Sequence, residues 1–245
     1  MMQQLYQISI KEVHDFIRDN KWALNEGVIN KFSQNQEKIK DHLVSKFKQY
    51  TNKANLDGES IKQLFFPTDI ANRFNLFISH SSDDADTVEQ FAKTLEVYGY
   101  HCFVDWMVWG NIKDLQPILD DNLCHPVKKE NGGTSYNYAL RNYTTAHTHA
   151  MLSMALLDMI NKCDICLFIT SENSTLPNAN FGNISTLSSW IYEEITYMNT
   201  IAEIQGIKTF SENKRYVRIS HPLDLRRFKE LTSKSILPSF KMLND

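Results

Sequence analysis

An indole and a carboxylate, Trp190 and Glu194, stand four residues apart in the segment SSWIYEEITYMNTIAEI (188–204). Residues with this spacing share one face of a helix, so the two side chains are expected side by side. The ring suits stacking on a nucleobase or ribose, and the carboxylate suits accepting hydrogen bonds from ribose hydroxyls. The pair alone is a weak signal, because a Trp and a Glu can stand four residues apart in an amphipathic helix by chance.

A fold has to position this pair, and the apolar runs of the chain predict one. Buried strands are predicted for FNLFISH (74–80), HCFVDW (101–106), DICLFIT (164–170) and KRYVRIS (214–220). Helical patterns lie between these runs, and HPLDLRRFKELTS (221–233) is predicted to close as a helix. The succession of strand and helix predicts an α/β fold built on a doubly wound parallel sheet.

The helix after the first strand carries the clearest local signals. Ser81, Ser82 and Asp83 are capping residue types at its start. Gly99 stands where a left-handed C-cap is needed. The short helix and tight turns predict a right-handed crossover. Its apolar stripe consists of Val88, Phe91 and Leu95.

Polar residues follow three of the predicted strands, at 79–83, at 105–106 and at 170–174. In a doubly wound sheet, ligands bind outside the carboxyl ends of the strands, so these three loops are expected to face one edge together. Turn formation and helix capping explain Ser and Asp at these positions equally well.

Residues 1–70 have a different texture, rich in Lys, Gln and Asn with spaced apolar positions such as Val13, Phe16 and Ile17. The spacing predicts two or three helices. We expect an N-terminal helical extension that serves docking or oligomerisation, followed by the main domain at 71–245.

An insertion is predicted at about 111–149, because the connection there is long and polar. The residues from Asn131 to Tyr143 are candidates for a lid. His147 and His149 lie two apart, which would put them on different faces of a helix, so metal binding is not predicted. We expect a polar contact from His147 or His149 into a substrate cleft; packing at the start of a helix is the alternative.

The bulk composition excludes several classes. A net charge of −3 gives no global electrostatic reason for binding nucleic acid or an anionic membrane. Cys163 and Cys166 have C-x-x-C spacing, but they lie in an apolar run without a second ligand pair, which favours a buried strand over zinc. With neither an apolar leader nor a membrane span visible, a cytoplasmic protein is expected.

Four segments in this order, LFISHSSDD, GYHCFVDWMVW, LFITSENS and SSWIYEEI, resemble the Toll/interleukin-1 receptor (TIR) domain family. The resemblance is closest to its bacterial NADases and ADP-ribosyl cyclases of anti-phage defence. It covers about 170 residues from position 74, apart from the insertion, and excludes residues 1–70. It implies a flavodoxin-like fold and cleavage of the nicotinamide–ribose bond of NAD, with NAD as substrate and no cofactor.

The resemblance also implies roles for individual residues. Glu194 would be the catalytic carboxylate, with Trp190 beside it and the adjacent Glu193 turned about 100° away on the helix. The loop after the first strand would lie under the ribose and phosphates, and the segment after the second would approach the nicotinamide or a neighbouring subunit. These implied substrate contacts are His80, Ser81, Ser82, Asp83, Asp105, Trp106 and Trp109.

The implied product is ADP-ribose, or a cyclic ADP-ribose isomer that signals to a separate effector protein. TIR enzymes often complete their site between protomers, so a homo-oligomer is expected. A non-enzymatic TIR scaffold is the alternative, and a flavodoxin-like or receiver-like regulator is disfavoured because the chain lacks a Gly-rich phosphate loop. The sequence leaves open hydrolysis against cyclisation, and NAD against NADP.

Overall fold

The computed structural model of the protein describes residues 3–24, 74–104, 120–121, 124–128, 132–177, 184–205 and 221–241. The strands in these ranges are β1 (Gln4–Ser9), β2 (Leu76–Ser79), β3 (Cys102–Phe103), β4 (Val127–Lys128), β5 (Thr134–Ser135), β6 (Ile165–Thr170), β7 (Leu176–Pro177), β8 (Ile184–Thr186), β9 (His221–Pro222) and β10 (Lys229–Leu231). The α-helices are α1 (Ile10–Asp19), α2 (Ala85–Val97), α3 (Tyr138–Lys162), α4 (Ser189–Ile204) and α5 (Ile236–Lys241). Lys21–Leu24 and Ser82–Asp84 form 3₁₀ turns.

The chain divides into two compact units. Within the described ranges, the first unit contains 3–24, 74–104, 157–177, 184–205 and 221–241. The second contains 120–121, 124–128 and 132–156. The candidate site belongs to the first unit.

A five-stranded parallel sheet flanked by helices forms the first unit, with the strand order β10–β1–β6–β2–β3. The predicted α/β class with a parallel sheet is therefore confirmed. β6 pairs with β1 over six residues on one side and with β2 over four on the other. Its side chains from Ile165 to Ile169 are at most 3% exposed, as a central strand covered on both faces requires.

The N-terminal residues correct the predicted domain boundary. Residues 4–9 form β1 inside the main sheet, between β6 and β10, rather than part of a separate helical extension. The helix predicted around Val13, Phe16 and Ile17 is confirmed as α1, and those three side chains are buried in the first unit. Phe16 meets Phe91 of α2 edge to face. The rest of the predicted extension, from 25 to 70, lies outside the described residues.

The crossover from β2 through α2 to β3 has the expected form. Gly99 adopts a φ of +85°, its N–H bonds the Glu96 carbonyl, and the Tyr100 N–H bonds the Leu95 carbonyl. This is a Schellman motif, in which a residue without a Cβ takes the left-handed position. The predicted stripe of Val88, Phe91 and Leu95 is fully buried.

The helix predicted at 221–233 is wrong. The chain forms β9 there, turns, and enters β10 at the edge of the main sheet. The Asp224 carboxylate accepts hydrogen bonds from the Arg226 backbone and guanidinium, which holds a turn where a helix would have to continue. β9 also joins a small antiparallel sheet with β7 and β8. The strand predicted at 214–220 lies outside the described residues.

The second unit carries the described part of the predicted insertion. It contains the β4–β5 hairpin and the start of α3. Asn137 fixes where α3 begins, because its side chain accepts the Leu140 N–H as an N-cap. Among the described residues, no helix has both the length and the apolar character needed to cross a membrane.

Candidate functional site

The strand order predicts a crevice at one place in the main sheet, between β2 and β6. β2 and β6 are neighbours in the sheet. From β2 the chain continues to β3, which lies on the side away from β6, and from β6 the next strand of this sheet is β10, which lies on the side away from β2. The connections leaving β2 and β6 therefore diverge. In open parallel sheets this point of divergence, at the carboxyl ends of the two strands, is where ligands bind.

Glu194 reaches this point from α4. Its carboxylate is 2% exposed, and its Oε2 accepts a hydrogen bond of 2.6 Å from the Ser79 hydroxyl. Ser79 is the last residue of β2 and is fully buried. A buried carboxyl group is thus held against the carboxyl end of β2, at the predicted crevice.

The surroundings of Glu194 are otherwise rich in apolar groups. Side chains alternate along a strand, so Phe77 and Ser79 share a face of the sheet with their register partners Cys166 and Phe168. Burial raises the pKa of the Cys166 thiol well above its usual range, and the charges of Cys163 and Glu194 raise this pKa further. The carboxylate therefore lies within electrostatic reach of a thiol in the centre of the sheet.

Local sequence positions Glu194 and Trp190. The Ser188 side chain accepts the Ile191 N–H, and this N-cap fixes where α4 begins. Trp190 is half-buried in the first turn, one turn before Glu194. Glu193 is half-buried and accepts a hydrogen bond from the Tyr197 hydroxyl, one turn further along α4.

The loop after β2 is tied to the loop after β6. Ser171 donates its hydroxyl to Oδ2 of Asp84, and the Asn173 amide donates to Oδ1 at 2.7 Å. Asp84 is 9% exposed. The prediction that the loops after these two strands face the same edge is confirmed by these bonds.

The predicted contacts of the first loop differ in exposure. His80 and Ser81 are buried, whereas Ser82 and Asp83 are exposed. Ser81 caps the 3₁₀ turn by accepting the Asp83 N–H. The helix α2 starts after this turn with Asp84 at its N-cap, and the Asp84 carboxylate makes no cap bond because it faces the other loop.

The remaining predicted contacts are Asp105, Trp106, Trp109 and His147. Asp105, Trp106 and Trp109 lie outside the described residues. His147 belongs to the second unit, where its exposed ring lies tilted by 55° against Tyr143 at a centroid distance of 4.2 Å.

Two side chains at the edge were given no role from the sequence: Ser79, which lies in the polar stretch 79–83 expected there, and Asp84, which was not selected. Ser79 reads as the polar end of a strand, and Asp84 as the second acid of a capping pair. Side chains two residues apart on a strand point to the same face, so the Ser79 hydroxyl lies on the face that carries the buried Phe77 ring. This spacing was the signal for Ser79 that the sequence offered. For Asp84 the partners lie 87 and 89 residues away, so no local pattern indicates them.

Within the described ranges, no group of three or more His, Cys, Asp or Glu side chains is arranged to hold a metal ion. No family model, curated protein or solved structure matches the chain.

Proposed function

We propose that this chain cleaves the nicotinamide–ribose bond of NAD, with Glu194 as the catalytic residue, in a flavodoxin-like domain of the TIR type. One observation carries the proposal: the Glu194 carboxylate is buried beside the crevice and bonded to Ser79 at the carboxyl end of β2. The resemblance of the four sequence segments supports the same residue.

The proposed chemistry needs a single carboxylate. Nicotinamide in NAD is cationic, so it departs as a neutral base without a proton donor. As the bond from ribose C1′ to the ring nitrogen breaks, positive charge develops on the ribose, and a carboxylate in a site of low dielectric stabilises that charge. Water then adds to C1′ and loses a proton, which gives ADP-ribose. Attack by a nucleophile of the same molecule would give a cyclic isomer.

Trp190 is assigned the wall beside the reacting bond. It precedes Glu194 by one helical turn, and its half-buried ring offers an apolar surface for a nucleobase or ribose. The four cysteines are free and buried, which suits a reducing compartment, so the proposal includes a cytoplasmic reaction.

The test is to incubate the purified protein with NAD and to measure nicotinamide by chromatography and the second product by mass spectrometry. Glu194→Gln keeps the size of the side chain and removes its charge, so nicotinamide release should fall by about 100-fold or more. Glu193→Gln is the matched control. It makes the same change on the neighbouring residue, whose carboxylate bonds Tyr197, and should retain activity.

Equal nicotinamide release by wild type and Glu194→Gln would remove Glu194 from the reaction. Absence of release from the wild type would reject the enzyme. The product mass distinguishes hydrolysis, which adds one water, from cyclisation, which adds none.

An assembling scaffold is the competing proposal. Four large apolar side chains between positions 176 and 192 are 37–67% exposed, and they lie on or next to the small sheet and the start of α4. A wild type that self-associates in solution without releasing nicotinamide at any protein concentration would favour the scaffold. The four side chains are Leu176, Ile184, Leu187 and Tyr192.

A further inference from the structure

We infer that Ser79 is a positioning residue for the Glu194 carboxylate; this rests on the proposed NAD cleavage. Its hydroxyl donates to Glu194 Oε2 at 2.6 Å, a short hydrogen bond to a charged acceptor. The two residues are 115 positions apart, so the bond joins strand β2 to helix α4 across the fold.

The face of the sheet under α4 makes this hydroxyl unusual. Phe77, Ser79, Cys166 and Phe168 share that face, and of these four side chains only Ser79 carries a hydroxyl. All four are fully buried. A β-branched or aromatic residue would fill the end of the strand better, so packing alone does not favour serine there.

The hydrogen bond limits how the carboxylate can lie. A glutamate side chain has three rotatable bonds, each with several rotamers. Bonding Oε2 to a hydroxyl on a central part of the sheet restricts those rotamers and fixes the plane of the carboxylate. The partner is itself rigid, because β2 is hydrogen-bonded to β6 on one side and to β3 on the other.

Position matters for the proposed reaction because the charge on the ribose exists only in the transition state. An interaction realised only there changes kcat rather than KM. A displacement of about 1 Å in a reacting group can lower the rate by about 100-fold. Loss of the Ser79 hydroxyl should therefore lower kcat by about 10- to 100-fold and leave KM nearly unchanged.

The experiment measures kcat and KM for NAD in four variants of the full chain. Ser79→Ala removes the hydroxyl, Ser79→Thr keeps it, and Ser79→Cys keeps the volume with a weaker donor. Ser185→Ala is the matched control, because Ser185 is equally buried and bonds the Leu176 carbonyl in the small sheet. We expect a loss of kcat in Ser79→Ala, recovery in Ser79→Thr, and wild-type values in Ser185→Ala.

The outcomes separate the two proposals. A wild type that releases no nicotinamide overturns the proposed function and this inference with it. An active wild type, with Ser79→Ala as fast as Ser185→Ala, overturns the positioning role alone. A combined change of kcat and KM in Ser79→Ala that threonine does not reverse indicates a structural role and also overturns it. If Ser79→Ala does not fold, kcat is compared among wild type, Ser79→Thr and Ser79→Cys. The first two should both have a higher kcat than Ser79→Cys, and equal kcat values in all three would overturn the inference.

Discussion

Two buried carboxylates at the carboxyl edge of the main sheet, Asp84 and Glu194, are held in different ways. Asp84 lies in a turn, and each of its oxygens accepts a bond from the loop after β6, one from Ser171 and one from Asn173. Glu194 lies on a regular helix and accepts its bond from Ser79, at the end of a regular strand. One carboxylate joins two loops, and the other joins two elements that are already formed.

This difference indicates different roles for the two carboxylates. Asp84 holds two loops together, whereas α4 and β2 are also held by contacts that do not involve Glu194. Without Asp84, the Ser171 hydroxyl and the Asn173 amide would lose their acceptor, so the loops depend on it. Without a charge at Glu194, α4 would still be capped by Ser188, and β2 would still be paired on both sides. Burying a charge is expensive, and well-packed neutral groups often replace it without loss of stability. Under the proposed function, catalysis accounts for a carboxylate at position 194.

The largest effect expected from this comparison is on stability. Asp84→Ala should lower the free energy of unfolding by about 2–3 kcal/mol, because two donors lose a charged acceptor. Glu194→Gln should change it by less than about 1 kcal/mol, because the amide oxygen still accepts the Ser79 hydroxyl and a neutral group is easier to bury. Urea denaturation followed by circular dichroism measures both values.

Asp83→Ala is the control for this measurement, since Asp83 is the adjacent, exposed acid. A surface change of this kind should stay within about 0.5 kcal/mol. A Glu194→Gln variant destabilised as much as Asp84→Ala would mean that Glu194 is retained for the fold, and the contrast between the two carboxylates would be lost.

The sequence predicts those parts of the fold whose signals are local. The central strand β6 and the strand β2 follow from continuous apolar runs, and the end of α2 follows from Gly99. Each signal acts within one turn or one strand, so the rest of the chain does not override it.

The strand β1 was missed because its signal is long-range. QLYQIS has polar residues at Gln4 and Gln7, and it becomes a strand by pairing with residues far along the chain, such as Ile165 and Lys229. The predicted helix at 221–233 failed for a related reason. Its apolar spacing fits a helix, but the Asp224 turn and pairing with β1 stabilise a strand instead.

For the candidate site, the sequence indicated residues and loops but not the hydrogen bonds between them. Glu194 and Trp190 were selected by their spacing on one helix together with the resemblance of the four segments, and the loops after β2 and β6 by the general rule for ligands in parallel sheets. The partners of each carboxylate were not found, because a hydrogen bond such as Ser79 to Glu194 joins residues that only the folded topology brings together.

A smaller effect tests whether Asp84 and Asn173 act as a pair. The free energy of unfolding for Asp84→Ala, Asn173→Ala and the double variant gives their coupling energy, which we expect at about 1–2 kcal/mol for a bond to a charged acceptor. A cycle that combines Asn173→Ala with Glu193→Gln is the control, because Glu193 bonds Tyr197 on its own helix. That control should show coupling within about 0.5 kcal/mol. Coupling near zero between Asp84 and Asn173 would leave the loops held by other contacts.

The smallest effect concerns Cys166, the thiol within electrostatic reach of Glu194. Burial is the main cause of its raised pKa, and the charge of Glu194 adds to that shift, so the Cys166 thiolate is scarce at pH 8 in the native protein. Glu194→Gln removes only the minor contribution. Its labelling by a thiol reagent, located by mass spectrometry, should rise by no more than a few-fold over wild type. Urea-unfolded protein, in which burial is lost, should label at the rate of a free cysteine. Rapid labelling of Cys166 in native Glu194→Gln would show that the charge, and not the packing of α4 on the sheet, keeps this region closed, and would make Glu194 a structural carboxylate like Asp84.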